Sequence, residues 1–384
     1  MMSTRIIRTG LAALVVAASL VATPGTAQLG TRAGQESGTS TADRLEAAVA
    51  SLREHQDTSG VVGLSAALAV DGRLRWAGGF GWADLQARIP MGPETVSRIG
   101  SISKPVAAAA TMVLVDRGAL DLDAPVSRYL PDYPRPQADR ITTRQLMSHT
   151  AGIRHYRGDE FLSNVAYDDV FAPMEVFWAD SLLFEPGSEY NYSTYGWTVV
   201  SAVTAAAADR PFVDVLRDEV IRPLGLLALQ PEWQDSVIPN HARFYTRDGD
   251  GAYLNAPEVD QSNKWAGGGI VSTASDLVNF ALGLLQDDLL SDDALAESWT
   301  RQTPEGEPSY GLGWRVADVE GHRVVSHSGG SVGATAMLVV FPDDGVVVSL
   351  LGNTGGVSHG GAAVRAARIL LGLDTPGETA TEDA

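Results

Sequence analysis

A serine hydroxyl becomes a nucleophile when a neighbouring group takes its proton, and a desolvated lysine amine can be that group. Ser101-Ile102-Ser103-Lys104 has the spacing this chemistry needs. Positions three apart share a helix face. A helix opened by Ser101 therefore carries Lys104 one turn on, within reach of the hydroxyl. The choice of lysine is informative in this chain. Of its 28 Lys and Arg residues, only Lys104 and Lys264 are lysine. Arginine serves wherever a solvated positive charge suffices, but a guanidinium does not deprotonate in proteins and an amine can. Lys104 is thus a candidate general base beside a candidate nucleophile, Ser101.

Two further stretches can join them. Glu189-Tyr190-Asn191-Tyr192-Ser193-Thr194 follows Pro186-Gly187 and precedes a helix. A tyrosine held near a lysine cation has a lowered pKa, so Tyr192 is expected to shuttle a proton to a leaving group. His327-Ser328-Gly329-Gly330 stands at the head of an expected strand. Its glycines allow a substrate backbone to approach closely, and the Gly330 N–H is a candidate oxyanion donor alongside that of Ser101, at a helix N-terminus. Each stretch by itself also fits a plain structural role, as a loop with packed aromatics or a glycine hairpin.

Taken in order, Ser101 to Lys104, Tyr192 to Thr194 and His327 to Gly329 resemble the motif set of the serine beta-lactamase and penicillin-binding protein superfamily. The nearest likeness is to the class C beta-lactamase and esterase branch. Leu146 to Ile153, Phe184 to Gly196 and Trp265 to Phe280 extend the resemblance, which covers about residues 43 to 372. Within the branch, Gly152 to Tyr156, Ala242 to Tyr245 and Asn263 to Gly269 look most like the mitochondrial serine beta-lactamase-like group and its bacterial relatives. The resemblance implies a hydrolase with Ser101, Lys104 and Tyr192 catalytic, the N–H groups of Ser101 and Gly330 as oxyanion hole, and Thr194, His327, Ser328 and Gly329 binding substrate. The mitochondrial relative forms filaments, which makes self-association an expectation here. Two departures bear on the substrate. Thr194 stands where many relatives have asparagine, and His327 where beta-lactamases have a carboxylate-binding lysine. Histidine is largely neutral at pH 7, so a peptidase or esterase is expected rather than an efficient beta-lactamase. A DD-peptidase, a weak beta-lactamase and a non-catalytic self-assembling scaffold are the alternatives.

Other residues stay open. His149 is expected to hold a loop. Arg154, His155 and Arg243 are either substrate contacts or a structural network, with the network preferred, and Lys264 is either site-lining or structural. The seven histidines show no zinc-like spacing with carboxylates, so neither metal nor cofactor is expected.

These residues must be positioned by both ends of the chain. A helix with Leu45, Val49 and Leu52 on one face precedes a strand-like run, Val61 to Val70. Asp71-Gly72 is a two-residue hairpin signal, and Arg73 to Phe80 returns as partner. Ser101 opens an Ala-rich helix that reaches Arg117 and stops at Gly118, with Pro105 tolerable in its first turn. Thr273-Ala274-Ser275-Asp276 reads as a capping box before a helix ending near Gln286. Gly311 to Val316, Arg323 to Ser326, Ala334 to Phe341 and Val346 to Leu351 read as antiparallel strands, and Val364 to Leu371 as a closing helix. The middle, roughly 120 to 255, is loop-rich with short helices. The expected fold is an α/β protein of the α+β type, beta-lactamase/transpeptidase-like. An antiparallel sheet built from both chain ends is flanked by helices, with an inserted, mostly helical lobe and the site in the groove between.

Composition narrows the class. A formal charge of −19 argues against nucleic acid and anionic lipid, both of which call for a basic face. The chain has no cysteine, so disulfides, thiol catalysis and a lipoprotein anchor are excluded. Residues 1 to 27 read as a signal peptide, with Arg5 and Arg8 before the apolar run Leu11 to Ala22 and small residues at Gly25-Thr26-Ala27. A periplasmic or secreted protein is expected, the alternative being tethering by an uncleaved segment. Residues 28 to 42 read as a flexible linker, 43 to 372 as the catalytic domain and 373 to 384 as a disordered acidic tail.

Overall fold

The computed structural model describes residues 39–134, 137–286 and 289–374. The expected signal peptide and most of the linker and acidic tail lie outside the described residues. The first helix, α1 (Thr41–Ser59), starts two residues inside the stretch expected as linker. The reason is local: Ser40 accepts from Asp43 N–H and Asp43 bonds back to the Ser40 N–H, a complete capping box. At the other end Asp374 is bound by Arg368.

The sheet has seven antiparallel strands. In chain order they are β1 (Gly63–Val70), β2 (Arg73–Asp84), β3 (Ile89–Pro90), β4 (Arg315–Val319), β5 (His322–Ser331), β6 (Ala334–Phe341) and β7 (Val346–Gly352). Their spatial order is β3-β2-β1-β7-β6-β5-β4. The first strand of the chain thus pairs with the last at the centre, Leu64 opposite Gly352 and Ala69 opposite Val347. Asp71 and Gly72 both have positive φ, at 54° and 66°, the backbone of a type I′ hairpin.

Strand β1 is buried along its whole length. An antiparallel sheet usually keeps one wet face and alternates, but this one is covered on both. On one face Leu64, Leu68, Val348 and Leu350 pack with Ala48 and Leu52 of α1 and Ala366 and Leu370 of the closing helix. On the other, Ala67, Ala69, Val347 and Leu338 pack into the core shared with the helical lobe. That core contains α2 (Ser103–Asp116), α3 (Thr194–Ala208), α4 (Ala274–Leu285) and their neighbours; the closing helix is α5 (Gly360–Leu371). Helix α2 is buried from Ser103 to Leu114, and its alanine run lets the surrounding elements come close.

Several boundaries differ from the sequence-based expectation. Ser101 does not open the long helix. It sits on a 3₁₀ turn, Gly100–Ile102, and α2 begins at Ser103. Strand β4 begins at Arg315 rather than Gly311, because Gly313 takes φ 86° against Ala108 and Trp197, and Gly311 N–H turns back to Trp314 O. Strand β5 runs on to Ser331, since Gly330 still pairs with Thr335 of β6; His327 to Gly330 therefore lie in its second half, not at its head. Thr273 does cap α4, but the Asp276 carboxylate accepts from Ala228 N–H across the fold instead of closing the box. Among the described residues no helix is long and apolar enough to cross a membrane.

Candidate active site

The site begins at the turn that carries Ser101. Gly100 takes φ 51°, and a Cβ there would stand 2.7 Å from Gly330 N. The turn is therefore pressed directly against the end of β5, which brings Ser101 and Gly330 together. Ser101 and Gly330 line a groove of about 370 Å³ with Tyr192, Thr194, His155 and Lys264.

Lys104 lies one turn on from Ser101 and is fully buried. Its Nζ is 3.1 Å from Ser101 Oγ, 2.6 Å from Gly267 O and 3.4 Å from Thr194 Oγ1. It also stands 4.7 Å from the centre of the Tyr192 ring. Burial holds its pKa well below the usual lysine range, and among the described residues it has no carboxylate partner to restore the charge. A neutral amine has two N–H donors and one lone pair. The two donors match Gly267 O and Thr194 Oγ1, leaving the lone pair for the Ser101 proton.

Tyr192 differs from expectation in one respect. Its pKa is raised, not lowered, because burial outweighs the hydrogen bond with Ser101. The neighbouring Tyr190 raises it further, and Arg315 opposes that rise. A phenol that keeps its proton suits the role of donor to a leaving group.

Two histidines hold this tyrosine in place. His149, in the left-handed conformation at φ 62°, accepts Ser193 N–H at its Nδ1 (3.0 Å) and Asn191 N–H at its carbonyl (2.9 Å). His155 Nδ1 accepts Thr194 N–H at 3.2 Å. Both rings therefore act as unprotonated acceptors at Nδ1. Burial lowers both pKa values, that of His155 to about 4. Ser193 then caps α3 through Gly196 N–H. The chain is thus fixed at Asn191, Ser193 and Thr194, on both sides of Tyr192, which aims the Tyr192 side chain at Ser101.

Thr194 is placed as a partner of Lys104 that also borders the groove. His327 is placed elsewhere than expected. Only 1% of it is exposed, its Nε2 pairs with Tyr310 OH at 2.8 Å and its Nδ1 with Ser328 O at 2.6 Å. Burial lowers its pKa to about 3, so it stays neutral beneath the groove and offers a substrate neither charge nor a free nitrogen. Strand alternation is the cause: Ser328 and Gly330 face outward while His327 and Gly329 face inward. Ser328 is exposed but does not line the groove. Gly329 is required by the chain itself, since a Cβ there would overlap the Ile99 carbonyl. At Gly330 a Cβ would meet nothing within 4 Å. Gly329→Ala is therefore expected to destabilise the fold by about 1–3 kcal/mol, and Gly330→Ala to leave it near the parent. Thermal unfolding of the two variants checks this, and equal melting temperatures would contradict it.

The remaining open residues resolve by location. Arg154 is 6% exposed and bound to Glu160 and Asp180, a network residue. Arg243 pairs with Asp84 away from the groove. Lys264 lines the groove. Tyr310, Tyr156 and Phe161 carry no chemical signature of their own in the sequence, Tyr156 standing only as the neighbour of His155.

With this geometry in hand, comparison with known proteins is informative. The beta-lactamase family model matches residues 46–372. A mitochondrial serine beta-lactamase-like protein of Homo sapiens is 28% identical over 425 residues, covering 82% of this chain and 78% of that protein. Penicillin-binding protein 4 of Amycolatopsis lactamdurans is 30% identical over 287 residues, covering 68% and 73%. Among solved structures, a D-stereospecific amidohydrolase from Streptomyces superposes with a TM-score of 0.72 at 27% identity, covering 86% of this chain and 98% of that one.

Proposed function

The chain belongs to the beta-lactamase family, and from that membership we propose that it is a serine hydrolase working through an acyl-enzyme on peptide or ester substrates. The observation that carries this reading is the Lys104 amine, fully buried, depressed in pKa and 3.1 Å from Ser101 Oγ. Ser101 Oγ attacks the substrate carbonyl while its proton passes to Lys104. The oxyanion is held by the N–H groups of Ser101 and Gly330. Tyr192 gives its proton to the leaving amine or alkoxide as the carbonyl re-forms, and is reprotonated from Lys104. Water then repeats the sequence on the acyl-enzyme.

Efficient beta-lactam turnover is disfavoured, because the buried and neutral His327 supplies no charge at the β5 wall for the drug's carboxylate. The amidohydrolase likeness supports amides among the substrates, which keeps a DD-peptidase activity as the second reading. The leader-like pattern of residues 1 to 27 supports a periplasmic or secreted location.

A fluorophosphonate probe followed by peptide mapping is expected to label Ser101, and short acyl esters to be cleaved far faster than nitrocefin. A label on another serine with Ser101 unmodified would overturn this mechanism, and no label on any serine would point to the non-catalytic scaffold. Nitrocefin turnover matching that of the esters would restore the beta-lactamase reading.

A further inference from the structure

The second lysine of the chain lies in the same groove as the first. Lys264 is 4% exposed and lines the groove with Ser101 and Gly330. Its ammonium has one hydrogen-bond acceptor, the Phe161 carbonyl, at a long 3.4 Å. It lies 5.6 Å from the centre of the Tyr156 ring and 5.3 Å from that of Phe161. Among the described residues it makes no ion pair. The carboxylates whose field reaches it are engaged elsewhere: Glu232 is held by Arg98, and Asp260 accepts the N–H and O–H of Ser262. A lysine ammonium carries three donors, so two are unspent at the wall of a groove.

A buried cation without a counter-ion is costly unless something compensates it. Two aromatic faces compensate in part. Burial and the nearby Arg98 pull the Lys264 pKa down to about 8, which still leaves it mainly charged at neutral pH. Other cations do not fill this role: His327 is neutral beneath the floor, and Arg315 stands exposed at the start of β4, outside the groove lining.

We propose that Lys264 is an anion anchor, a subsite that binds a carboxylate carried by the molecule that acylates Ser101. This rests on the serine-hydrolase reading and sharpens it: the favoured peptide or ester is anionic near the bond it loses. The aromatic faces of Tyr156 and Phe161 strip water from the ion pair, and the two unspent donors of Lys264 meet the two carboxylate oxygens.

Phenylboronic acid and its 3- and 4-carboxyphenyl counterparts test the anchor, because each forms a reversible bond to a reactive serine and they differ only in the carboxylate. The wild-type chain is expected to bind at least one carboxylated boronate about 10-fold or more tightly than the neutral one. Lys264→Met should erase that preference while leaving phenylboronate affinity within about twofold, which also reports an intact site; Lys264→Gln repeats the measurement if the methionine variant does not fold. A preference absent from the wild type, or kept in the variant, overturns the anchor. Phenylboronate binding that is equal in wild type and Ser101→Ala would instead remove the serine-hydrolase reading, and the anchor with it.

Discussion

Lys104→Arg is expected to slow acylation of Ser101 by at least about 10³-fold, the scale on which enzymes lose rate when a general base is removed. The substitution keeps a positive charge and roughly the reach of the side chain but cannot accept a proton. Lys104→Met, similar in shape and without a titrating group, should lose as much, and serves where the buried site does not accommodate a guanidinium. Single-turnover acylation by an activated ester reads the rate, and near-UV circular dichroism reads the fold. A variant that keeps most of its rate would show that another group takes the Ser101 proton. The pH profile separates the same two cases. The base must be neutral, so the rate falls as pH drops through the Lys104 pKa and is level above it. With that pKa well below 10.5, the profile levels off well before the pH at which an ordinary lysine would lose its proton. Tyr192, raised in pKa, stays protonated across the same range. A rate still climbing toward pH 10 would mean that the amine titrates as an ordinary lysine.

The largest stability loss is expected at Arg98. Its guanidinium binds Glu232 through two contacts of 2.8 Å and also donates to Val332 O at 2.8 Å. Both partners of the pair are 7% exposed. Breaking a buried pair from one side strands the other charge, at a cost of about 3–5 kcal/mol. Replacing both partners by apolar groups removes the stranded charge and restores most of the loss. Arg98→Met should therefore unfold at markedly lower urea concentration than Glu232→Leu/Arg98→Met. A double variant no more stable than the single one would refute this account. Activity is expected to suffer alongside stability. Arg98 immediately precedes the Ile99-Gly100-Ser101 turn, and Val332 follows Gly330 by two residues, so Arg98 ties the Ser101 turn to the strand end beside it.

What was legible in the sequence was mostly local. Ser101 and Lys104 are three residues apart, and a 3₁₀ turn running into a helix preserves their neighbourhood as well as one long helix would. Asp71-Gly72 specifies its hairpin through φ alone, and Ala334 to Phe341 matches strand β6 residue for residue. The misreadings arose where long-range pairing decides. The inward turn of His327 follows from the register of β5 against β6, and its partner Tyr310 comes from the loop before β4. The pKa of Tyr192 depends on how deeply its own phenol is buried, which spacing does not reveal. Lys264 could be flagged as a lysine kept against an arginine bias, but its place in the groove depends on Gln261 to Gly269 folding back against α3.

The pairing of β1 with β7 sets the order in which this protein can be made. Until residues 346–352 leave the ribosome, β1 has only its hairpin partner β2, and both apolar faces of a strand destined for the centre lack half their cover. The sheet closes only once β7 has been made, over a sequence separation of some 280 residues. Such closure is slow, and the waiting hairpin is a sticky edge. A chain cut short before β7 loses the middle of the sheet, not its margin, and the Ser101 turn loses the scaffold it leans on.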